Sequence, residues 1–310
     1  MNFDEDIINW LLTGDPAIRF RTLKDLTDNS VHEIKKVQKR IAHEGWGKQI
    51  LEYQDDKGTW ANSLYSPKWI STTYTLLLLR RIGLGQDNQQ AKKGAVILLN
   101  KGFYKDGGIN FFGSLKHSET CVTGMVLSIL CYFRIDDHRI DELANFLFTQ
   151  QMADGGWNCQ SFRDATHSSF HTTISVLEGL WEYEKTTPCQ SAKIKESRDQ
   201  AVEFLLQHRL YKSDKTGKTV DEKMTRFAFP PRWRYDVMRA LDFLQEIKAH
   251  KDKRFKEAID LLIKKRTKEG YWRLQGKHSG RVFFDMEIPG GPSRWNTLRA
   301  LRILKWWDRN

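Results

Sequence analysis

The chain has 310 residues, 40% of them hydrophobic and 12% aromatic, with only 7 Pro and no Gly/Ser-rich or Pro-rich linker, which excludes a disordered or loosely tethered protein. Lys and Arg outnumber Asp and Glu by 50 to 39, a formal charge of +11, yet the basic residues are spread evenly and form no RNP or zinc-finger pattern, so no nucleic-acid partner is expected. Apolar runs such as Leu76 to Leu79 and Ala95 to Leu99 are too short to cross a bilayer. The acidic start, Met-Asn-Phe-Asp-Glu-Asp, is unlike a signal or transit peptide. Cys121, Cys131, Cys159 and Cys189 make no CxxC pair, so a reducing cytoplasm is the expected location.

In chain order, Ile7 to Leu12 predicts a helix, and Asp15-Pro16 supplies an N-cap and first-turn proline for a second over Ala17 to Leu26. From residue 45 the chain repeats. Residues 1–44 are expected to cap this repeat array, since its end needs a polar outer face. Gln54-Asp-Asp-Lys-Gly-Thr-Trp60 and Gln151-Met-Ala-Asp-Gly-Gly-Trp157 share the form QxxxGxW. Weaker copies are Tyr104-Lys-Asp-Gly-Gly-Ile109 and Arg266-Thr-Lys-Glu-Gly-Tyr-Trp272, and a degenerate one lies near Arg209 to Lys215. The period of roughly fifty residues is that of helical-hairpin arrays.

Each copy is preceded by an amphipathic helix, visible in Ala144, Leu147 and Phe148, in Val202, Leu205 and Leu206, and in Ala258, Leu261 and Leu262. The motif Gly stops that helix because it adopts φ > 0 without strain. A second, more apolar helix comes after it: Ser71 to Arg81, Glu119 to Phe133, Phe170 to Tyr183, Tyr235 to Leu244 and Ser293 to Trp307. No strand run is visible. The expected fold is therefore all-α: one domain over 1–310, about five helical hairpins with extra N-terminal capping helices, the second helix of each hairpin buried inside a ring or stack.

QxxxGxW closing one helix and leading into an apolar one resembles the QW repeat of squalene and oxidosqualene cyclases and the related repeats of protein prenyltransferase β subunits. The ending Phe284-Asp-Met-Glu-Ile-Pro-Gly-Gly-Pro-Ser-Arg-Trp-Asn-Thr-Leu-Arg-Ala-Leu301, with Asp15-Pro-Ala-Ile-Arg-Phe-Arg21, is similar to a bacterial branch labelled squalene-cyclase-like or prenyltransferase-like. The resemblance implies an α/α toroid; it does not carry a reaction. The DxDD motif of class II cyclases and the GCGEQ of thioester toroids are absent. Asp136-Asp137 with Asp141 looks like a diphosphate motif but lies where an N-cap is expected.

Superposing the second helices makes Ser71, Cys121, His171, Tyr235 and Trp295 equivalent, a thiol, imidazole, phenol and indole where packing alone favours aliphatic residues. In a toroid these positions face the central cavity, and they are the predicted ligand site. Lys116, Arg234, Tyr235, Asp236, Arg294 and Trp295 are the predicted cavity residues, Arg for an anionic group and the aromatics for an isoprenoid or sugar face. The resemblance to prenyltransferase β subunits further implies zinc on Glu119, Cys121 and His171, with Lys116 near a diphosphate and His117 or His167 as further ligands. The same residues read equally as a buried thiol and a hydrogen-bonded imidazole. Likewise Arg226, Phe227, Phe229, Arg232 and Trp233, with Arg281, Phe283 and Phe284, either wall a ligand or seal the core.

Three functions are compatible with these residues. The first is an enzyme or former enzyme binding an isoprenoid or other anionic lipid-like small molecule. The second is a carbohydrate-active toroid, a lyase or glycosidase using Glu119 with Asp236, or Tyr235 with His171. The third is a non-catalytic scaffold for a peptide or partner.

Overall fold

A computed structural model describes residues 4–308. Among these, α-helices are α1 Glu5–Leu12, α2 Pro16–Asp25, α3 Val31–Arg40, α4 Gly45–Glu52, α5 Thr72–Ile82, α6 Gln89–Gly102 and α7 Thr120–Tyr132. They continue as α8 Arg139–Thr149, α9 Phe170–Thr186, α10 Ser191–Gln207, α11 Val237–Glu246, α12 Lys256–Lys264 and α13 Arg294–Asp308. The only sheet among the described residues pairs β1 (Trp272–Arg273) with β2 (Pro292–Ser293), antiparallel, Trp272 opposite Ser293. No helix among the described residues is long and apolar enough to cross a membrane.

The chain divides into two compact units, each discontinuous in sequence. The middle unit, named for its place in the sequence, holds 53–80 and 86–205; the terminal unit holds the residues up to 52, 81–85 and those from 206 on. The N-terminal helices group with the last third of the chain.

In the middle unit, α7 is buried along almost its whole length, as its apolar sequence requires. It packs closely on α9 because Gly124 meets Gly179. A Cβ on Gly124 would stand 2.8 Å from the Val176 Cα, and one on Gly179 2.5 Å from the Gly124 carbonyl. The motif glutamines then clamp turn to helix. Gln151 Nε2 donates to the Gly155 carbonyl of its own turn (2.7 Å) and to the Ser197 carbonyl of α10 (2.9 Å). Gln54 does the same to Gly58 (2.9 Å) and Gln90 (2.8 Å). Gly155 has φ 92°, the left-handed backbone the turn needs. Trp157 is fully buried, its Nε1 donating to the Leu147 carbonyl at 2.7 Å. At the other end of these helices, buried Arg80 pairs with Glu182 (2.9 Å) and lies 3.9 Å from Glu178.

The terminal unit repeats the tryptophan device, with Trp272 Nε1 donating to the Leu262 carbonyl at 2.7 Å. Arg266 stands where the glutamine would be. Its Nε donates to the Gly270 carbonyl (3.2 Å) and its guanidinium lies 5.7 Å from the Trp272 centroid. The N-terminal helices attach to α13 by charge. Arg302 bridges Asp25 of α2 (2.9 Å) and Asp242 of α11 (3.0 Å), while Arg299 reaches Asp242 at 3.4 Å. Asp15 caps α2 as expected, accepting from the Ala17 amide at 2.9 Å.

Candidate functional site

In the middle unit one hydrogen bond fixes the start of each second helix. The last residue of the motif gives its backbone N–H to a threonine hydroxyl: Trp60 to Thr72 (3.0 Å), Ile109 to Thr123 (2.9 Å) and Trp157 to Thr173 (3.0 Å). Counting back two residues from each hydroxyl gives Ile70, Cys121 and His171. Ser71 is therefore one place out of the predicted register, and its hydroxyl donates to the Tyr65 carbonyl at 2.8 Å.

Tyr65, in the loop before α5, is the hub of an aromatic cluster. Its ring lies 5.1 Å from Tyr74, 6.2 Å from Phe111 and 5.4 Å from Phe112. Trp69 meets Tyr74 edge-on at 4.9 Å. The exposed Lys68 places its ammonium 5.8 Å from the Tyr65 ring centroid and 6.0 Å from that of Trp69. Burial pushes the Tyr65 phenol up; Tyr74, Cys121 and Glu119 beside it push the same way. These four side chains are thus electrostatic neighbours.

Glu119 occupies the N-cap of α7 without capping it. Its Oε2 is buried and finds no hydrogen-bond partner among the described residues. Burial raises its carboxyl above the ordinary range, against the pull of Lys68. Beside it the Cys121 amide donates to Cys159 Sγ at 3.0 Å, and the Cys159 amide to Thr172 Oγ1 at 3.2 Å. Cys159 beside it, with burial, raises the Cys121 thiol; Cys121, against burial, lowers Cys159.

Of the residues predicted here, Glu119 and Cys121 come together. Lys116 is exposed, and the cation acting on Glu119 is Lys68. His171 is half-buried at the start of α9, its carbonyl accepting from the Ser175 hydroxyl at 3.0 Å. His117 stacks on Phe162 at 3.8 Å, and His167 is exposed. No group of three or more His, Cys, Asp or Glu side chains suited to a metal ion occurs among the described residues. Glu119, Cys121 and His171 do not form such a set. Asp137 holds its own helix start, accepting from the Arg139 amide at 3.0 Å, while Asp141 accepts from Tyr183 at 2.6 Å.

In the terminal unit the predicted residues are committed to structure. Tyr235 donates its hydroxyl to the Leu210 carbonyl at 2.5 Å. Asp236 caps α11, accepting from the Arg239 amide at 2.7 Å; burial raises its carboxyl, with Arg299 opposing. Trp295 stacks on Phe229 at 4.3 Å, and both are buried. Arg294 lies 4.6 Å over Trp10 and donates to the Trp10 carbonyl at 3.1 Å. Arg234 stacks on Trp233 at 4.8 Å. Sequence reasoning missed Tyr65 and Lys68, in the loop between the first motif and α5, and Tyr74, in the first turn of α5. It also missed Cys159, whose only signal is its place two residues after the motif tryptophan.

No protein-family model matches the chain, and no curated protein matches it in sequence. Among solved structures, an unsaturated glucuronyl hydrolase specific for heparin is similar with a TM-score of 0.50 at 16% identity, over 94% of this chain and 84% of that one. The type II terpene cyclase MstE from Scytonema is similar with a TM-score of 0.47 at 17% identity, over 93% of this chain and 86% of that one. A variant of that cyclase in complex with its substrate, geranylgeranyl dihydroxybenzoate, gives 0.45 at 17% identity, over 93% and 84%. At such identity the likeness speaks to fold alone. The chain is an all-α protein of the α/α-toroid class, the class its repeats predict.

Proposed function

We propose that this protein binds an isoprenoid or other anionic lipid-like ligand at the aromatic cluster of Tyr65, Trp69, Tyr74, Phe111 and Phe112, with Glu119 as a proton donor to it. The observation that carries this reading is the unpartnered Glu119 Oε2, on a carboxyl raised by burial, beside a cluster of aromatic rings with one lysine at its edge. Aromatic rings offer an apolar hydrocarbon broad contact, and their faces favour positive charge that develops when an alkene accepts a proton. Lys68 supplies a compact cation for a phosphate or carboxylate head. A neutral carboxyl is the form able to give a proton, as general acid catalysis requires.

The carbohydrate reading needs Tyr235 or Asp236 free to act on substrate. Tyr235 spends its hydroxyl on Leu210 and Asp236 its carboxylate on a helix cap, which favours the lipid reading. Titration calorimetry with farnesol, farnesyl diphosphate and inorganic diphosphate tests it. Both isoprenoids should bind, and Tyr65→Ala should weaken both by ~10-fold or more, the loss expected for one buried aromatic contact. Lys68→Ala should weaken the diphosphate ester alone. Inorganic diphosphate binding as tightly as the ester, or a Tyr65→Ala protein that binds like the wild type, would overturn the reading.

A further inference from the structure

The middle unit contains a second reactive feature that ligand binding at the aromatic cluster does not use. Cys159 lines a cavity of about 370 Å³ together with His117, Ser118, Thr120, Ser161 and Phe162. A volume of that order lies in the range of small-molecule sites. At its wall the His117 ring stacks on Phe162 at 3.8 Å, and His117 Nε2 is buried without a hydrogen-bond partner among the described residues. That nitrogen is a polar group still to be satisfied, and a ligand carboxylate or amide would satisfy it.

The sulfur itself is held by backbone. The first N–H groups of a helix have no partner within it, and α7, 13 residues long, spends the Cys121 amide on Cys159 Sγ at 3.0 Å. A donor so placed stabilises sulfur carrying negative charge, the form that acts as nucleophile. The Cys121 side chain springs from the same residue as that amide, so the two cysteines are direct neighbours. The pair therefore combines an attacking sulfur, a resolving sulfur within reach and a cavity of ligand size at the first of them.

We propose that Cys159 and Cys121 form a thiol–disulfide exchange site that takes small disulfides of the glutathione class. Cys159, as thiolate, attacks one sulfur of the disulfide RSSR; the Cys159–S–R bond forms as the S–S bond breaks, and RS⁻ leaves to take up the proton that Cys159 lost. Cys121 then loses its proton and attacks the Cys159 sulfur, expelling the second RS⁻, which takes up that proton. The protein dithiol is oxidised by two electrons, the disulfide is reduced to two thiols, and no other oxidant is needed.

The test uses the full chain carrying Cys189→Ser, because Cys189 is exposed, while Cys131 is buried. Incubation with oxidised glutathione is followed by intact mass and thiol count. The expected product is an internal Cys121–Cys159 disulfide with no glutathione retained. Adding Cys121→Ser should stop the reaction at a mixed disulfide on Cys159, and Cys159→Ser should slow modification by ~10-fold or more, the weight of the better-activated thiol. Cys159→Ala gives a second reading of the same step, and circular dichroism melts verify that each variant is folded. The proposal is overturned if all thiols of the Cys189→Ser protein survive conditions that glutathionylate Cys189 in the wild type. It is equally overturned if Cys121→Ser leaves Cys159 unmodified. Neither result bears on isoprenoid binding at Tyr65.

Discussion

In the middle unit a neutral amide ties each full motif copy to its neighbours: Gln54 and Gln151 each hold the motif glycine carbonyl and a carbonyl of the next helix. In the terminal unit Arg266 takes that place, and Asp25, Asp242, Arg299 and Arg302 form a largely buried charge network between α2, α11 and α13. The equivalent helix-start positions differ in the same sense. Cys121 in the middle unit keeps a reactive neighbour, whereas Tyr235 and Trp295 in the terminal unit are spent on a carbonyl and a ring stack. In both units the packing demands of the repeat are met by the shared tryptophan and glycine.

The largest expected effect tests what the units share. Trp157→Ala and Trp272→Ala each remove a fully buried indole and its hydrogen bond, and each should cost about 4 kcal/mol in urea melts. A clear difference between them would break the claim that the tryptophan does the same work in both. Next comes the charge network: Asp242→Ala removes the carboxylate that pairs with Arg299 and leaves Arg302 with Asp25 alone, and it should cost about 3 kcal/mol, with no loss of effect in high salt. A salt-sensitive or negligible cost would place these groups in water instead.

Gln151→Ala should cost about 1 kcal/mol for its lost hydrogen bonds, and Arg266→Ala less, because Arg266 makes one bond to the turn. The smallest effect belongs to a device both units carry. Asp137 pairs with Arg139 and Asp252 with Arg254, each arginine holding its carboxyl at about 2. The folded value lies below the unfolded one of about 4, so the contribution is present above about pH 4 and is lost as pH falls towards 2. Asp137→Asn and Asp252→Asn should each cost about 0.5 kcal/mol at pH 7, after solvent screening, and only a small part of that by about pH 2. Acid melts of the two variants check this.

Much of the fold was legible in sequence because its devices are local. QxxxGxW places a turn glycine and a buried indole at fixed spacing, and Asp15-Pro16 announces α2. The second helices begin and end within a few residues of their predicted bounds. The grouping of α1 to α4 with α11 to α13 was not legible, since it rests on contacts such as Arg302 with Asp25, far apart in sequence. The site was half legible. Glu119 and Cys121 emerge from superposing repeats, but Tyr65 and Lys68 lie in a loop outside the superposed helices, and Cys159 meets Cys121 only once the turns are folded.

The claim that the helix starts of the middle unit hold a lipid-like ligand is tested most directly by photo-crosslinking. A benzophenone-bearing farnesyl diphosphate analogue is irradiated with the wild-type protein, and the labelled peptides are mapped by mass spectrometry. The account predicts labelling within the segments around Tyr65 to Tyr74 and Phe111 to Cys121, competed away by farnesyl diphosphate and lost in Tyr65→Ala. Competed labelling confined to other segments, or labelling that Tyr65→Ala leaves unchanged, would contradict it.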